Sequence, residues 1–198
     1  MATLAKDQTR QFGPIETIRA DHINRYLFAA GYLQKKLPRG ARVLDAACGC
    51  GYGSWLLHGA GFDVTSVDIS EEAIAYAKEQ YQGPTYHQKS VYEIDGQWDA
   101  IVSFETLEHL DRPEALLARV KAPILIASVP NENLYPFVAE NFAGDSSPHL
   151  RHYTPDQFSI LIESSGRRVV ERFCQKTKIP GDVEPGTDGK FIIYVCEA

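Results

Sequence analysis

No stretch of this 198-residue chain approaches the roughly 18 consecutive apolar residues of a membrane span; runs such as Ile124–Val129 are strand-sized. Positive charge is also short. Twenty Lys and Arg stand against 26 Asp and Glu, a net charge of −6, so the basic footprint of a nucleic-acid binder is absent. Lys35, Lys36, Arg39 and Arg42 form the one dense basic group, which reads as cations complementing a helix C-terminus. Cysteine is scarce: four residues, at 48, 50, 174 and 196, include no C-x-x-C pair, which excludes a paired-knuckle zinc site. Buried free thiols are expected rather than disulfides, with Cys174 and Cys196 near each other if their strands pair. The opening MATLAKDQTRQFGP has no apolar h-region, so no secretory leader is expected and a cytoplasmic location is the default. Internal repeats and low-complexity tracts are lacking too.

What is present is ordinary globular material. Apolar residues make up 44% and charged residues 23%, enough for a core. The length fits a single domain spanning 1–198. Apolar positions at 23, 26, 27, 30 and 33 predict a helix within 18–37, stopped by Pro38-Arg39-Gly40. Strand-like and helix-like runs then alternate. ARVLDAAC, FDVTSVDI, TYHQKSV, WDAIVSF and APILIASV read as strands, separated by short helices. Ser70 is placed to cap one of them, with Glu71 and Glu72 in its first turn, and Pro113 opens another. After a long irregular stretch, 131–153, Thr154-Pro155 opens a last helix closed by Gly166. RRVVERFC and FIIYVCEA are strands six and seven, joined by a Pro/Gly-rich linker without helical pattern. The expectation is an α/β fold: a seven-stranded, mostly parallel sheet with helices on both faces and an antiparallel last strand at its edge. Within it, 1–38 reads as an N-terminal helical lid, 39–130 as the binding core, 131–155 as a substrate loop and 156–198 as the C-terminal helix and strand pair.

Ligands in open α/β sheets bind beyond the C-terminal ends of the strands. Strand one ends in Asp45-Ala-Ala-Cys48-Gly49-Cys50-Gly51-Tyr52-Gly53, glycines that permit a tight turn and close backbone approach. The spacing is G-x-G-x-G, not the G-x-G-x-x-G of a dinucleotide site, and Asp45 would repel a pyrophosphate. It suits a cationic ligand instead, such as the sulfonium of S-adenosylmethionine. Strand two ends at Asp68, where a carboxylate accepts both hydroxyls of a ribose.

These motifs resemble the class I S-adenosylmethionine-dependent methyltransferases, whose fold is Rossmann-like. VLDAACGCGYGS resembles their glycine-rich motif and VTSVDIS their ribose-binding strand end. DAIVSFETLEHL resembles the fourth-strand motif of the ubiquinone-biosynthesis O-methyltransferases. The resemblance spans roughly residues 20–175. It implies that Asp45, Gly49, Cys50 and Gly51 hold the methionine part of the cofactor. Asp68 would take the ribose and Ile69 would pack on the adenine, with Ser90 and Val91 beside its amino group. Phe104 would line the pocket and Arg25 would reach the cofactor carboxylate.

For the acceptor, Glu105, Glu108 and His109 follow strand four directly. His109 is the candidate general base, with Glu108 beside it. The E-x-x-E-H arrangement also resembles the divalent-metal site of the ubiquinone-type enzymes, formed here by Glu105, Glu108 and His109. A structural capping role is the third reading, and all three stay open. His149 and His152 form a metal pair only if helical; Pro148 and Pro155 favour solvated loop histidines. The (Asp/Asn)-Pro-Pro-(Tyr/Phe) turn of base-amino methyltransferases is replaced by Phe104-Glu105-Thr106-Leu107. The expectation is O-methylation of a small molecule, a sugar or glycan precursor or a phenolic or quinone metabolite. The rival readings are methylation of protein or nucleic acid, or a non-catalytic cofactor-binding module.

Overall fold

The computed structural model describes residues 12–145 and 147–198. The leader expectation, resting on the first 14 residues, falls mostly outside them. Helix α1 (Ala20–Gln34) presents Tyr26, Ala29, Ala30 and Leu33 to the core; of the expected stripe Tyr26, Ala30 and Leu33 are buried and Ile23 partly so, while Leu27 is half exposed and Ala29 faces inward instead. Lys35 is its C-cap and Lys36 follows, where cations meet the negative helix end. Strand β1 (Arg42–Ala46) leads through the glycine turn into α2 (Tyr52–Gly59), and β2 (Asp63–Asp68) into α3 (Glu71–Gln80). The Ser70 side chain accepts the Ala73 N–H, capping α3 as expected. Strand β3 (Thr85–Gln88), β4 (Ala100–Phe104), α4 (Pro113–Arg119) and β5 (Ile124–Pro130) follow. Helix α5 (Pro155–Ser164) begins with a reciprocal capping box between Thr154 and Gln157. Strands β6 (Arg168–Gln175), β7 (Glu184–Pro185) and β8 (Phe191–Glu197) close the chain.

The strands form one sheet in the order β3-β2-β1-β4-β5-β8-β6-β7. The pairs among β1 to β5 are parallel, and β8 is antiparallel to both β5 and β6. Two details differ from expectation. The sheet has an eighth member, the two-residue β7 paired to β6. The reversed strand lies inside the sheet rather than at its edge. Its composition explains the placement: Phe191 to Cys196 are all buried, so both faces of β8 need cover, and only an interior position gives that. Strand β6, with exposed Arg168, Glu171 and Arg172, tolerates the outer position.

Alternation along the strands divides the core in two. Val43, Val64, Val102, Ile126 and Ile193 face α1, α2 and α3. Leu44, Ile101, Leu125, Ile192 and Tyr194 face α4 and α5. All four cysteines are buried, and none forms a disulfide. Cys174 and Cys196 lie on paired strands but not opposite each other: Cys174 faces Ile192 and Cys196 faces Val169. Among the described residues no helix is long and apolar enough to cross a membrane.

Candidate active site

A cavity of about 440 Å³ opens at the C-terminal ends of β1, β2 and β4, within the size range of small-molecule sites. Its floor is the glycine turn. Cys48 donates its N–H to Val67 O, tying the turn to β2, and Asp68 fixes the loop from above. One Asp68 oxygen accepts the Gly49 N–H and the other the Ser70 N–H, both at 2.9 Å. Asp68 thereby joins the glycine turn to the start of α3 while its carboxylate lines the cavity. Gly49 has φ 56° and nothing within 4 Å of where a Cβ would stand, on the cavity wall. Ile69 is 68% exposed at the rim, an apolar surface without protein cover. Cys50, Ser90, Val91 and Phe104 line the cavity as well.

Two residues of the expected cofactor set do not reach it. Asp45 is fully buried behind the turn, where Tyr26 donates to one of its oxygens at 3.1 Å and Ser54 to the other at 2.6 Å. Burial pushes its carboxyl up to about 7, against the lowering by those hydrogen bonds, with the Asp68 charge adding to the rise. Its role in the structure is to hold α1 and α2 against β1. Gly51 is a packing glycine. It adopts φ 90°, and a Cβ there would lie 2.6 Å from Ala77 Cβ. The left-handed turn it makes caps α2.

Arg25 lines the cavity but is committed elsewhere. It is 1% exposed, with Nη1 2.7 Å from a Glu105 oxygen and a weaker contact of 3.5 Å to Asp21. Ser128 donates to the same Glu105 oxygen at 2.8 Å, and the guanidinium lies over the Phe191 ring. Glu105 has φ 49°, a left-handed backbone unusual for glutamate, held by its N–H bond to Ser128 O. Arg25 and Glu105 thus clamp α1 to the ends of β4 and β5. The expected metal set is split by this: the Glu105 carboxylate is spent on Arg25.

Glu108 and His109 lie in a short 3-10 turn, Leu107–His109, just past β4. His109 lines the cavity; Glu108 is completely buried beneath it and does not. Burial, and then the Glu105 charge, pushes the Glu108 carboxyl well above the ordinary range. The stretch after β5 folds back onto this turn, Leu150 donating its N–H to Glu108 O at 2.8 Å. That bond sets His149 against His109, with ring centroids 4.6 Å apart and nearly perpendicular. His149 stacks on Phe142 at 4.0 Å, and its Nδ1 lies 2.8 Å from His152 Nε2. His152 is buried and its Nδ1 meets Tyr135 O. Burial, with His109 and His152 nearby, lowers His149 to about 3. These are not the solvated loop histidines expected, nor are they helical. Pro148 and Pro155 do keep the segment irregular, but it packs on its own aromatic residues.

Several cavity residues were not assigned to the site by the sequence reading. His22 and Tyr26 enter from α1 and Tyr52 from α2, with Thr106 and Leu110 beyond β4 and Ser147, Pro148 and Leu150 from the long loop. The His22 ring contacts the Tyr52 hydroxyl at 3.0 Å; burial and the nearby Arg25 hold it well below its usual pKa. Ala47 lines the cavity with φ 64°, a turn position where a glycine would have flagged it.

Residues 17–171 match the methyltransferase domain family. The chain is 34% identical over 123 residues to a ubiquinone biosynthesis O-methyltransferase of Aromatoleum aromaticum, covering 57% of this chain and 49% of that protein. A protein of the same name from Coxiella burnetii is 32% identical over 162 residues, 71% of this chain and 69% of its own length. This chain thus spans about half of the first of these curated relatives. Among solved structures, magnesium protoporphyrin IX methyltransferase from Synechocystis with bound SAH superposes with a TM-score of 0.71 at 18% identity, covering 96% of this chain and 91% of that one. A Burkholderia thailandensis 1,6-didemethyltoxoflavin-N1-methyltransferase, bound to its substrate and S-adenosylhomocysteine, gives 0.63 at 20% identity, covering 87% and 77%.

Proposed function

The chain belongs to the methyltransferase domain family, and from that premise we propose that it transfers a methyl group from S-adenosylmethionine to a hydroxyl of a small molecule. One observation carries the reading: a single cavity runs from Asp68, Gly49 and Ile69 at one end to His109 and the Ser147–Leu150 segment at the other. The first end fits the cofactor. Asp68 keeps its carboxylate on the cavity wall, Gly49 leaves room where a side chain would intrude, and Ile69 offers bare apolar surface. In this reading Asp68 accepts the ribose hydroxyls, Ile69 and Val91 flank the adenine, and Ser90 lies near its edge. Bound there, the cofactor supplies an electrophilic sulfonium methyl and a good leaving group.

The protein's task is alignment and proton removal. The acceptor enters between α1 and the long loop, and its hydroxyl lies toward His109. The imidazole assists by taking the proton itself or by holding a cation that acidifies the hydroxyl. Glu108, buried beneath, acts through His109. Sugar and glycan precursors and phenolic or quinone metabolites are the acceptor classes proposed; the acidic surface disfavours a nucleic acid. A single unit over 1–198 and a cytoplasmic setting belong to the same proposal.

Calorimetric titration with S-adenosylmethionine and S-adenosylhomocysteine, with NAD as control, tests the cofactor. Wild type is expected to bind both sulfur ligands, and Asp68→Ala to weaken them at least ~10-fold through loss of the ribose hydrogen bonds. NAD binding, or no binding, would sink the reading. On an acceptor found by screening, His109→Ala is expected to lower kcat about 100-fold while leaving S-adenosylhomocysteine affinity unchanged. Equal losses in both would return His109 to the fold. Tight cofactor binding without turnover on any acceptor would favour the binding-module alternative.

A further inference from the structure

We propose that a second pocket, at the opposite end of the sheet from the active-site cavity, binds a small organic oxyanion: a carboxylate or phosphate carried on an apolar body. The pocket has a volume of about 590 Å³ and lies at the N-terminal ends of β1, β4 and β5, between the ends of α4 and α5. Methyl transfer makes no use of it.

Charge is the first observation. Three cations line the pocket, Arg42, Lys121 and Arg167, against one acidic side chain, Asp99. The whole chain, by contrast, carries a net charge of −6. None of the three cations is ion-paired among the described residues. Arg42 and Lys121 are exposed at the rim, whereas Arg167 is only 7% exposed. A buried guanidinium without a counter-charge is unfavourable, and an anion beside it offsets part of that penalty.

Hydrogen-bond accounting is the second. The four carbonyls of residues 120–123 are all taken. Arg167 donates from Nη2 to Val120 O and from Nη1 to Ala122 O, both at 2.9 Å. The Trp98 N–H bonds Lys121 O at 3.0 Å and the Ala198 N–H bonds Pro123 O at 3.1 Å. Arg167 thus satisfies the negative end of α4. Donors are left over. Beyond its two carbonyl bonds, the Arg167 guanidinium keeps N–H groups with no partner among the described residues. The indole N–H of Trp98 is buried and has no partner either. The Arg42 guanidinium lies over the Trp98 ring, with Cζ 4.9 Å from the centroid. Asp99 does not consume these donors: its Oδ2 accepts the Arg42 backbone N–H at 2.7 Å. A wall with donors to spare calls for a ligand made of acceptors, and the forked arginine N–H groups match the edge of a carboxylate or phosphate.

The third is the remaining wall. Leu117, Ala118 and Pro123 line the same space and offer apolar surface to a ring or a short chain. A bare inorganic ion would leave that surface and most of the volume without contact. The ligand is therefore an organic anion, its charged head toward Arg167 and its body against Leu117.

The test uses the full chain with Trp55→Phe, which leaves Trp98 as the single tryptophan. Benzoate and phenyl phosphate are titrated, with benzamide as the neutral counterpart and inorganic phosphate as the bare ion. Trp98 fluorescence and calorimetry both read binding, so turnover is not needed. Each organic anion is expected to saturate one site per chain with a Kd of about 1 mM or tighter, and the tighter of the two identifies the preferred head group. Benzamide and inorganic phosphate should bind at least ~10-fold more weakly. Arg167→Met should weaken both organic anions at least ~10-fold, and Trp98→Phe, followed by calorimetry, about fivefold. S-adenosylhomocysteine affinity should stay at the wild-type value in both variants, since the active-site cavity is at the other end of the strands. Thermal unfolding establishes that each variant is folded. Should Arg167→Met misfold through loss of its two carbonyl bonds, the pair Arg42→Met and Lys121→Met tests the same charge, with a loss of at least ~10-fold expected. Quenching that does not saturate overturns the site, as does benzamide binding as tightly as benzoate. So does anion binding that survives the cation substitutions. Inorganic phosphate held as tightly as phenyl phosphate would mean an adventitious ion only, and would also overturn it.

Discussion

The two ends of the cavity are built by different means. At the cofactor end the wall is largely backbone: a turn of glycines on β1, fixed by two N–H bonds to one carboxylate, Asp68. Most of it comes from residues 45–70, with Ser90 and Val91 added beyond β3. At the acceptor end the wall is side chain. His109, Ser147 and Leu150 line it, and behind His109 the residues His149, His152, Phe142 and Tyr135 pack on one another across a loop with little regular structure. Backbone construction gives a rigid cradle that suits a ligand of fixed shape. A side-chain cluster changes its shape with each substitution, which suits an acceptor that varies between relatives. The comparison says where stability and specificity are separable, and it can be broken by experiment.

The largest effect is expected inside the cofactor end itself, between two neighbouring glycines. Gly51→Ala places a Cβ 2.6 Å from Ala77 Cβ at φ 90°. Left-handed strain of about 1–2 kcal/mol and overpacking of about 1–3 kcal/mol add, for a loss of roughly 2–5 kcal/mol. Gly49→Ala meets nothing within 4 Å and bears only the strain of φ 56°, about 1–2 kcal/mol. Its methyl group enters the cavity, so S-adenosylhomocysteine affinity should fall about 10-fold or more. Denaturant melts and calorimetry on both variants read the two costs separately. A Gly49→Ala protein that binds like wild type would remove the turn from the ligand's path.

The same contrast sets what was legible in the sequence. The parallel core, the glycine turn and Asp68 are local patterns, and they stand where their spacing placed them; the Glu-x-x-Glu-His residues follow β4, but Glu105 is paired to Arg25 and Glu108 is buried off the cavity. Asp45 was visible as a carboxylate beside the turn, but not as one facing inward, because Tyr26 and Ser54 reach it only once α1 and α2 have packed. Arg25 was visible as a cation, while its partner Glu105 lies 80 residues away. His149 was visible as a loop histidine, and only the Leu150–Glu108 hydrogen bond brings it to His109. One missed signal was in plain view. The unbroken apolar run Phe191–Cys196 called for cover on both faces, hence an interior strand.

A smaller effect, opposite in sign for Asp45 and His149, concerns pH. Asp45 rises from 3.8 to about 7 on folding, so the folded chain takes up a proton there. Its contribution favours folding most below pH 3.8 and is lost as pH climbs toward 7. Glu108 adds a share of the same sign. His149 falls from 6.5 to about 3, so the unfolded chain takes up the proton. Its contribution is full above 6.5 and is lost as pH drops toward 3. Thermal melts from pH 3 to 8 should therefore show Asp45→Asn flattening the decline of stability between pH 4 and 7. His149→Phe should flatten the acid-side loss below 6.5. If both variants tilt the profile in the same direction, Asp45 and His149 are not buried as described.

The smallest expected effect is at Ile69, on the boundary between fold and ligand. At 68% exposure the side chain contributes little to the folded chain, and Ile69→Ala should leave the melting temperature within about a degree. An adenine lying on it would shield on the order of 40 Å² of apolar surface, worth about 1 kcal/mol, so S-adenosylhomocysteine affinity should drop roughly fivefold. Methylthioadenosine, which keeps the adenine and loses the amino-acid tail, should lose the same factor. A drop confined to S-adenosylhomocysteine would put Ile69 near the tail and reverse the orientation of the ligand in the cavity. Both ends would then exchange roles, with the backbone cradle holding the adenine and Asp68 left as a clamp on the glycine turn.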